Sequence, residues 1–169
     1  MKILISGSHG LIGSALKKEL ESKGHQVTGL SRDFSKSIDF NGVDAVIHLA
    51  GESIADGRWN DEKKKRIEES RVVATELLSQ QLANSDSKPK VFISASAIGF
   101  YGDREDEVLD ESSSAGTDFL SDVCVKWEAT TQEAERSGIR TVLIRTGVVL
   151  SEKGGALKKM LPPFKMGGG

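Results

Sequence analysis

Apolar runs alternate with amphipathic stretches along this chain, and the alternation predicts its elements. Runs rich in β-branched and other apolar residues predict five strands, at 2–6, 25–31, 44–51, 90–97 and 139–147. Stretches with apolar residues at helical spacing predict three helices, at 11–24, 60–85 and 118–138. Because strands that alternate with helices form a parallel sheet with right-handed crossovers, the pattern predicts a doubly wound α/β fold with helices on both faces.

Three equally spaced glycines follow the first predicted strand. In the stretch GSHGLIGSAL they are Gly7, Gly10 and Gly13, and the helical pattern begins among them. Glycines clustered between a strand and a helix indicate a tight turn that lets a phosphate approach the backbone, although a glycine-rich turn without a ligand is the alternative. We expect Gly7 to make the turn, Gly10 to admit a pyrophosphate and Gly13 to pack the helix on the sheet.

The predicted dinucleotide site is centred on this turn. A helix N-terminus offers unpaired N–H groups and a positive dipole end to phosphate groups. The residues expected to contact the cofactor here are Gly7, Ser8, His9, Gly10, Leu11, Ile12 and Gly13.

The stretch GLSRDF at the end of the second predicted strand bears on the choice of cofactor. NAD-binding proteins place an acid about twenty residues beyond the glycines to hold the ribose 2′-hydroxyl, whereas Ser31 and Arg32 stand in that region here. An arginine can pair with a 2′-phosphate and stack on the adenine. We therefore predict NADP(H) rather than NAD. Asp33 is the counter-argument, and a surface pair between Arg32 and Asp33 is the alternative.

Composition narrows the class of protein. The chain has 169 residues, 37% hydrophobic and 28% charged, as in one ordinary globular domain. The net charge of -2 gives no general reason to bind nucleic acid or a membrane surface. The single cysteine, Cys124, excludes an internal disulfide, and no histidine has metal-ligand spacing. We expect a cytoplasmic protein without a bound metal, with His48 as a satisfied core residue and residues 63–66 as a solvated basic face.

Five stretches in order resemble a known family. SGSHGLIGSAL, HLAGESIADGRW, SASAIGFYGD, FLSDVCVKWE and LIRTGVVLSEKGGALKKMLPPFK are together similar to the extended short-chain dehydrogenase/reductases. More narrowly, they resemble an atypical branch of NAD-dependent epimerase/dehydratase-like proteins, some of them labelled cell-division inhibitors. The resemblance implies a Rossmann fold with strand order 3-2-1-4-5 and cofactor contacts from Leu49, Ala50 and Gly51. It also implies a small-molecule substrate, such as a nucleotide sugar, and by analogy a homodimer.

The chain departs from the family pattern in two respects. Family members continue into a C-terminal substrate domain, so the resemblance implies that residues 1–169 are the dinucleotide-binding domain alone. The family's Tyr-x-x-x-Lys pair, in which lysine lowers the pKa of the tyrosine and holds the ribose, has no counterpart. The available registers give Phe119/Val123 or Leu120/Cys124. We interpret Cys124 as an inert buried thiol, with a nucleophile as the alternative.

Three polar residues near predicted strand ends are the catalytic candidates. Ser96, at the family's serine position, is expected to hydrogen-bond a substrate carbonyl, or else to cap the backbone turn. Tyr101, the chain's only tyrosine, is a candidate acid or a packing residue. Arg71 is expected to bind an anionic group of substrate or cofactor, or else to pair with Glu68. Glu128 is interpreted as a salt-bridge residue.

Two functional hypotheses from different classes remain. The first is an NADP(H)-dependent oxidoreductase or epimerase-like enzyme, in which a hydride moves between the nicotinamide and a group held by Ser96. The second is a regulatory protein that keeps the dinucleotide site and lacks the chemistry. The missing Tyr-x-x-x-Lys pair favours the second, and the polar residues near the strand ends favour the first. A role in cell division rests on family labels alone.

Overall fold

Five parallel strands form the centre of the structure. The computed structural model describes residues 1–168, and Gly169, the last residue of the predicted domain, lies outside them. The strands are β1 (Lys2–Ser6), β2 (Gln26–Gly29), β3 (Ala45–His48), β4 (Val91–Ala97) and β5 (Arg140–Thr146). The helices are α1 (Leu11–Ser22), α2 (Asp61–Glu69), α3 (Val72–Asn84), α4 (Phe119–Ala129), α5 (Gln132–Arg136) and α6 (Gly155–Lys165), and a 3-10 turn (Ile98–Phe100) follows β4.

The strand order is β2-β1-β3-β4-β5, and the doubly wound Rossmann-type α/β fold is confirmed. The order 3-2-1-4-5 implied by the resemblance is corrected, because it places the third strand beyond β2. β3 instead pairs with β1, with Ala45 opposite Ile3. All four residues of β3 are buried, so this strand needs a neighbour on each side. Residues 30–44, which would supply a strand beyond β2, form turns and loop.

Two of the predicted helices are interrupted. The predicted helix 60–85 is α2 followed by α3, and the predicted helix 118–138 is α4 followed by α5. At the first break, Ser70 Oγ and the Arg71 guanidinium both donate to the Ile67 carbonyl. At the second, two threonine hydroxyls donate to carbonyls three residues earlier. Side-chain donors that bond helical carbonyls compete with the backbone ladder, and apolar spacing does not reveal this competition.

The sheet buries an apolar layer on each face. α3 and α5 cover one face, and α1 covers the other. The first layer contains Leu4, Phe34, Phe40, Val43, Val46, Leu78, Leu82, Phe92, Ala134 and Ile139, and the second contains Ile3, Ile5, Ala45 and Ile47. Three residues of the 30–44 loop belong to the first layer, so the core anchors this loop without a strand. No helix within residues 1–168 is both long and apolar enough to cross a lipid bilayer.

Candidate dinucleotide-binding site

The turn between β1 and α1 requires glycine at two positions. Gly7 has φ +69°, a left-handed conformation that suits glycine, and a Cβ there would lie 2.8 Å from the carbonyl carbon of Leu49. A Cβ on Gly13 would overlap the Gly7 carbonyl oxygen. The Gly10 N–H donates to that same oxygen at 2.9 Å. Gly13 therefore lets the first turn of α1 pack directly against the backbone that follows β1.

The N-terminus of α1 is open to a ligand. Gly10 is the N-cap residue, no side chain caps the helix, and its first turn carries no acidic residue. The first N–H groups of a helix have no intrahelical acceptor and carry a partial positive charge. Among the described residues, a Cβ on Gly10 would meet only the Gly7 oxygen, at 3.2 Å. The outer side of the turn is thus a cradle that fits a phosphate group.

A buried hydrogen-bond network holds the peptide on which Gly7 rests. Ser6 Oγ accepts from the N–H groups of Leu49 and Ala50, at 3.1 and 3.3 Å, and lies 2.6 Å from His48 Nδ1. Because both lone pairs of the hydroxyl are used, its hydrogen points to Nδ1, and the proton of the neutral imidazole is on Nε2. Burial lowers the pKa of His48 to about 4, which keeps the ring neutral and able to accept.

His48 is only half satisfied, which corrects the prediction of a satisfied core residue. Its Nε2 is buried and has no hydrogen-bond partner in the part of the chain that the structure describes. The Phe34 ring lies nearly perpendicular to the imidazole, with 5.3 Å between the ring centroids. The sequence does not reveal this, because Phe34 comes from the irregular loop after β2.

A groove of about 510 Å³ opens at the carboxyl end of β2. The turn after β2, the α2–α3 junction and the first turns of α3 form its walls. Its lining combines an apolar wall with two arginines and three carboxylates: Phe34, Val73, Ala74 and Leu77, then Arg32 and Arg66, then Asp33, Glu52 and Glu69. The volume is that of a small-ligand site, and an apolar wall beside arginines suits a heterocycle that carries a phosphate. The end of β2 packs against the glycine turn, because a Cβ on Gly29 would lie 2.6 Å from Ser8 Oγ, and the chain reaches the groove at Arg32, three residues later.

Arg32 and Asp33 do not form the surface pair that was the alternative interpretation. The Asp33 carboxylate accepts from the N–H and the hydroxyl of Ser35 and lies 3.4 Å from Lys36 Nζ. The hydrogen bonds from Ser35 are the main reason that the pKa of Asp33 is lowered. Arg32 is exposed at the groove, and within residues 1–168 no carboxylate pairs with it. Asp33 is engaged locally, whereas the arginine is available.

Ser96 and Tyr101 belong to a second polar cluster, between β4, α4 and β5. The Arg145 guanidinium donates to both carboxylate oxygens of Glu128, each at 2.8 Å, and to the Tyr101 hydroxyl oxygen at 3.0 Å. Ser96 Oγ donates to Glu128 Oε1 at 2.5 Å. The guanidinium also lies 3.4 Å from the centroid of the Phe100 ring. The salt bridge predicted for Glu128 is confirmed, with Arg145 as its partner.

The charges of this second cluster compensate each other. Burial opposes ionisation of Glu128, but hydrogen bonds from Arg145 and Ser96 outweigh it, and the pKa of Glu128 lies below its ordinary value. The bond to Glu128 is the main cause that raises the pKa of Arg145. Tyr101 accepts from Arg145 through its hydroxyl oxygen, so the hydrogen of that hydroxyl is directed away from the guanidinium.

Helix α4 presents no acid–base pair toward the end of β4. A Cβ on Gly99 would lie 3.5 Å from Leu120 Cβ and 3.9 Å from Cys124 Sγ, so this register faces the turn after β4. Burial and the neighbouring Glu128 raise the pKa of the Cys124 thiol. A thiol that stays protonated is a poor nucleophile, which supports the inert interpretation.

Arg71 lies between the two parts of the site. A Cβ on Gly51, just after β3, would lie 3.3 Å from Arg71 Cζ. The guanidinium also lies 5.3 Å from the centroid of the Trp127 ring. Glu68, the partner in the alternative interpretation, is bonded to Lys126 at 2.9 Å instead. Arg71 is thus placed by the α2–α3 break, not by a surface ion pair.

Lys63 departs from the predicted solvated basic face. Its side chain is 5% exposed, and Nζ lies 2.8 Å from Glu52 Oε1. A buried lysine requires a counter-charge, and Glu52 comes from the loop after β3. Helical periodicity therefore gave no sign of the pair.

The structure gathers the predicted site residues into two groups. Gly7 to Gly13, Ser31, Arg32 and Leu49 to Gly51 surround the ends of β1, β2 and β3, whereas Ser96 lies near the C-terminal end of β4 and Tyr101 lies just after it. Their individual roles stay predictions. The sequence analysis missed Ser6 and the groove wall on α3, although a serine that ends an apolar strand and the i, i+4 pair of Val73 and Leu77 were available signals. Residues 1–168 contain no group of three or more His, Cys, Asp or Glu side chains that could hold a metal ion.

Comparison with known proteins gives consistent matches. The profile of the NAD dependent epimerase/dehydratase family matches residues 3–164. Epimerase family protein Mb2239 of Mycobacterium bovis is 43% identical over 180 residues, which cover 98% of this chain and 59% of that protein. The crystal structure of human epimerase family protein SDR39U1 (isoform 2) with NADPH is 33% identical with a TM-score of 0.91, and the match covers 100% of this chain and 61% of the human one.

The nucleoside-diphosphate sugar epimerase from Corynebacterium glutamicum is a further structural relative. It is 39% identical with a TM-score of 0.82, and the match covers 98% of this chain and 38% of that one. The chain therefore spans less than two thirds of the length of these relatives.

Substitutions of two glycines test the packing of the turn. Gly13→Ala is expected to lower the free energy of unfolding by about 2 kcal/mol, because the added methyl overlaps backbone. Gly10→Ala is expected to lower it by about 1 kcal/mol or less, because the methyl meets a single backbone oxygen, at 3.2 Å, and does not overlap it. Urea denaturation measures both values. Equal losses in the two variants would contradict the close-packed turn.

His48 is expected to make stability depend on pH. Its pKa is about 4 in the folded chain and 6.5 in the unfolded chain, so only the unfolded chain binds this proton between those values. Stability is therefore full above pH 6.5 and falls by up to about 3 kcal/mol as the pH drops to about 4. Over this pH window, the free energy of unfolding measured by urea denaturation should change less with pH in His48→Asn than in wild type. The asparagine side-chain oxygen can still accept from Ser6. The exposed control His9→Asn should keep the wild-type slope, and an unchanged slope in His48→Asn would contradict the assignment.

Proposed function

This chain belongs to the NAD dependent epimerase/dehydratase family, and we propose that it binds NADP(H) and supports hydride transfer on a small carbonyl or hydroxyl substrate. The observation that carries the proposal is the open glycine cradle beside a groove with an arginine at its edge. The human relative crystallised with NADPH supports the choice of cofactor.

The chain's own residues suit the two ends of such a dinucleotide. The N–H groups at the start of α1 would hold the pyrophosphate, and Val73, Ala74 and Leu77 would face the adenine. Arg32 would pair with the 2′-phosphate, because Asp33 is engaged by Ser35. An arginine without a carboxylate partner favours the phosphorylated cofactor.

The polar groups at the C-terminal end of β4 suggest how a substrate would be bound and protonated. The bound nicotinamide would supply or accept the hydride. The Ser96 hydroxyl donates its hydrogen bond to Glu128, so toward a substrate it can only accept a hydrogen bond. Tyr101 is the residue to which we assign proton transfer, because its hydroxyl hydrogen is not used in the bond with Arg145.

The proposed substrate class is a nucleotide sugar. It is supported by the similarity to the nucleoside-diphosphate sugar epimerase from Corynebacterium glutamicum. The second candidate function is a regulatory dinucleotide-binding protein, and the observation that favours it is the pair Leu120 and Cys124 at the surface of α4 that faces the end of β4.

Binding titrations test the cofactor first. Wild type is expected to bind NADPH more tightly than NADH. Arg32→Gln should weaken NADPH binding by about tenfold to a hundredfold and leave NADH binding unchanged, because the lost contacts are charge-assisted hydrogen bonds to the 2′-phosphate. Isothermal titration calorimetry gives each Kd.

A matched arginine elsewhere on the sheet provides the control. Arg140 is exposed at the start of β5, so Arg140→Gln should bind both cofactors like wild type. No binding of either dinucleotide to wild type would refute the proposed function, and equal NADPH and NADH affinities would refute the role of Arg32.

Turnover separates the enzyme from the regulatory protein. With a nucleotide sugar that carries a ketone, the enzyme hypothesis expects NADPH oxidation, measured by the loss of absorbance of the reduced nicotinamide. Tyr101→Phe should lower this rate by at least about a hundredfold without changing the Kd for NADPH, because only the transferred proton is removed. NADPH binding without oxidation of any such substrate would favour the regulatory candidate.

A further inference from the structure

Arg71 is a largely buried cation whose direct partners are all neutral. It donates to the carbonyl oxygens of Ile67 and Glu52, at 3.1 and 3.0 Å, and to Ser70 Oγ at 3.4 Å. Burial lowers its pKa, but an arginine stays charged in a protein. The carboxylate of Glu52 acts on Arg71 only through space, because its hydrogen bond goes to Lys63. A buried charge without a counter-ion is costly, so an acceptor from outside the described chain is expected here.

The guanidinium also has donors to spare. Of its five N–H groups, Nη1 uses two and Nη2 uses one in the bonds above. The Nε–H and one Nη2–H therefore have no acceptor within residues 1–168. The backbone of Gly51 lies beside the group, and a side chain there would press on it at 3.3 Å from Cζ. Glycine at this position leaves the arginine its space at the carboxyl end of β3.

The position of Arg71 complements that of Arg32. Arg71 lies beside Gly51, just after β3, and 5.3 Å from the Trp127 ring of α4, which places its charge between the end of β3 and α4. Arg32 lies at the end of β2, on the other side of the glycine turn. In open α/β sheets the ligand lies in the crevice where the strand order reverses, here between β1 and β3. A dinucleotide across this crevice would extend from one arginine toward the other.

We propose that Arg71 is a second cofactor-binding cation, which donates to ribose or phosphate oxygens in the nicotinamide half of NADP(H). Arg32 binds the adenine half. This inference rests on the proposed function, because it takes the dinucleotide as the ligand. Arg71 thereby supplies a positive charge near the end of β4 from the α2–α3 junction. Leu120 and Cys124 of α4, which face the turn after β4, provide no such charge.

Two ligands distinguish the contacts proposed for Arg71 from those proposed for Arg32. NADPH contains both halves, whereas 2′,5′-ADP contains only the adenine half with its 2′-phosphate. Arg71→Gln should weaken NADPH binding by about tenfold or more and leave the Kd for 2′,5′-ADP unchanged. Arg71→Lys, which keeps the charge on a single ammonium group, should fall between wild type and Arg71→Gln. Arg32→Gln should weaken both probes. Isothermal titration calorimetry gives the affinities, and thermal unfolding without ligand reports the fold of each variant.

Each outcome has a distinct meaning. A loss confined to NADPH supports the inference. Parallel losses for both probes in Arg71→Gln, with a lower unfolding temperature, would overturn it and assign Arg71 a structural role at the helix junction. Unchanged NADPH affinity in Arg71→Gln would overturn it while leaving the proposed function intact, and would direct the charge to a substrate anion. If Arg71→Gln does not fold, the comparison is made between Arg71→Lys and wild type. A loss of NADPH affinity with an unchanged Kd for 2′,5′-ADP again supports the inference. Wild type that binds neither probe would instead refute the proposed function.

Discussion

The contact of Gly7 with the peptide after β3 is the constraint on which the site depends. Gly7 turns with a left-handed backbone directly against Leu49, and Ser6 Oγ holds that peptide through two N–H groups. The hydroxyl can do this because neutral His48 accepts its hydrogen. The ends of β1 and β3 therefore form one packed unit, and α1 starts from it at a fixed angle.

Charge compensation then distinguishes the cations that are neutralised within the fold from those that are not. Arg145 is paired with Glu128, and Lys63 is paired with Glu52, so these cations are neutralised within the fold. Arg32 and Arg71 have no such partner among the described residues, although one is exposed and the other is largely buried. Both border the carboxyl edge of the sheet. A ligand with negative charge and oxygen acceptors at both ends would compensate them, and a phosphorylated dinucleotide has this character.

The sequence was sufficient for the features that depend on local patterns. Apolar runs located the five strands, and glycine spacing located the turn, because backbone geometry at those positions follows from residue type. The strand order and the helix breaks could not be read from local patterns. The central place of β3 goes with the complete burial of its residues in the folded chain, and the break at Ser70 comes from side-chain donors. The partners of His48 and Lys63 come from irregular loops, which carry no periodic signal.

The distribution of protons decides where chemistry could occur in this family member. The Ser96 hydroxyl donates its hydrogen bond to Glu128. Burial keeps the thiol of Cys124 protonated, so this side chain carries no charge. Tyr101 differs, because it accepts from a cation and its own hydrogen has no acceptor within residues 1–168. The proposed proton donor therefore lies where β4, β5 and α4 meet, and its cationic neighbour is an arginine, Arg145, instead of a lysine.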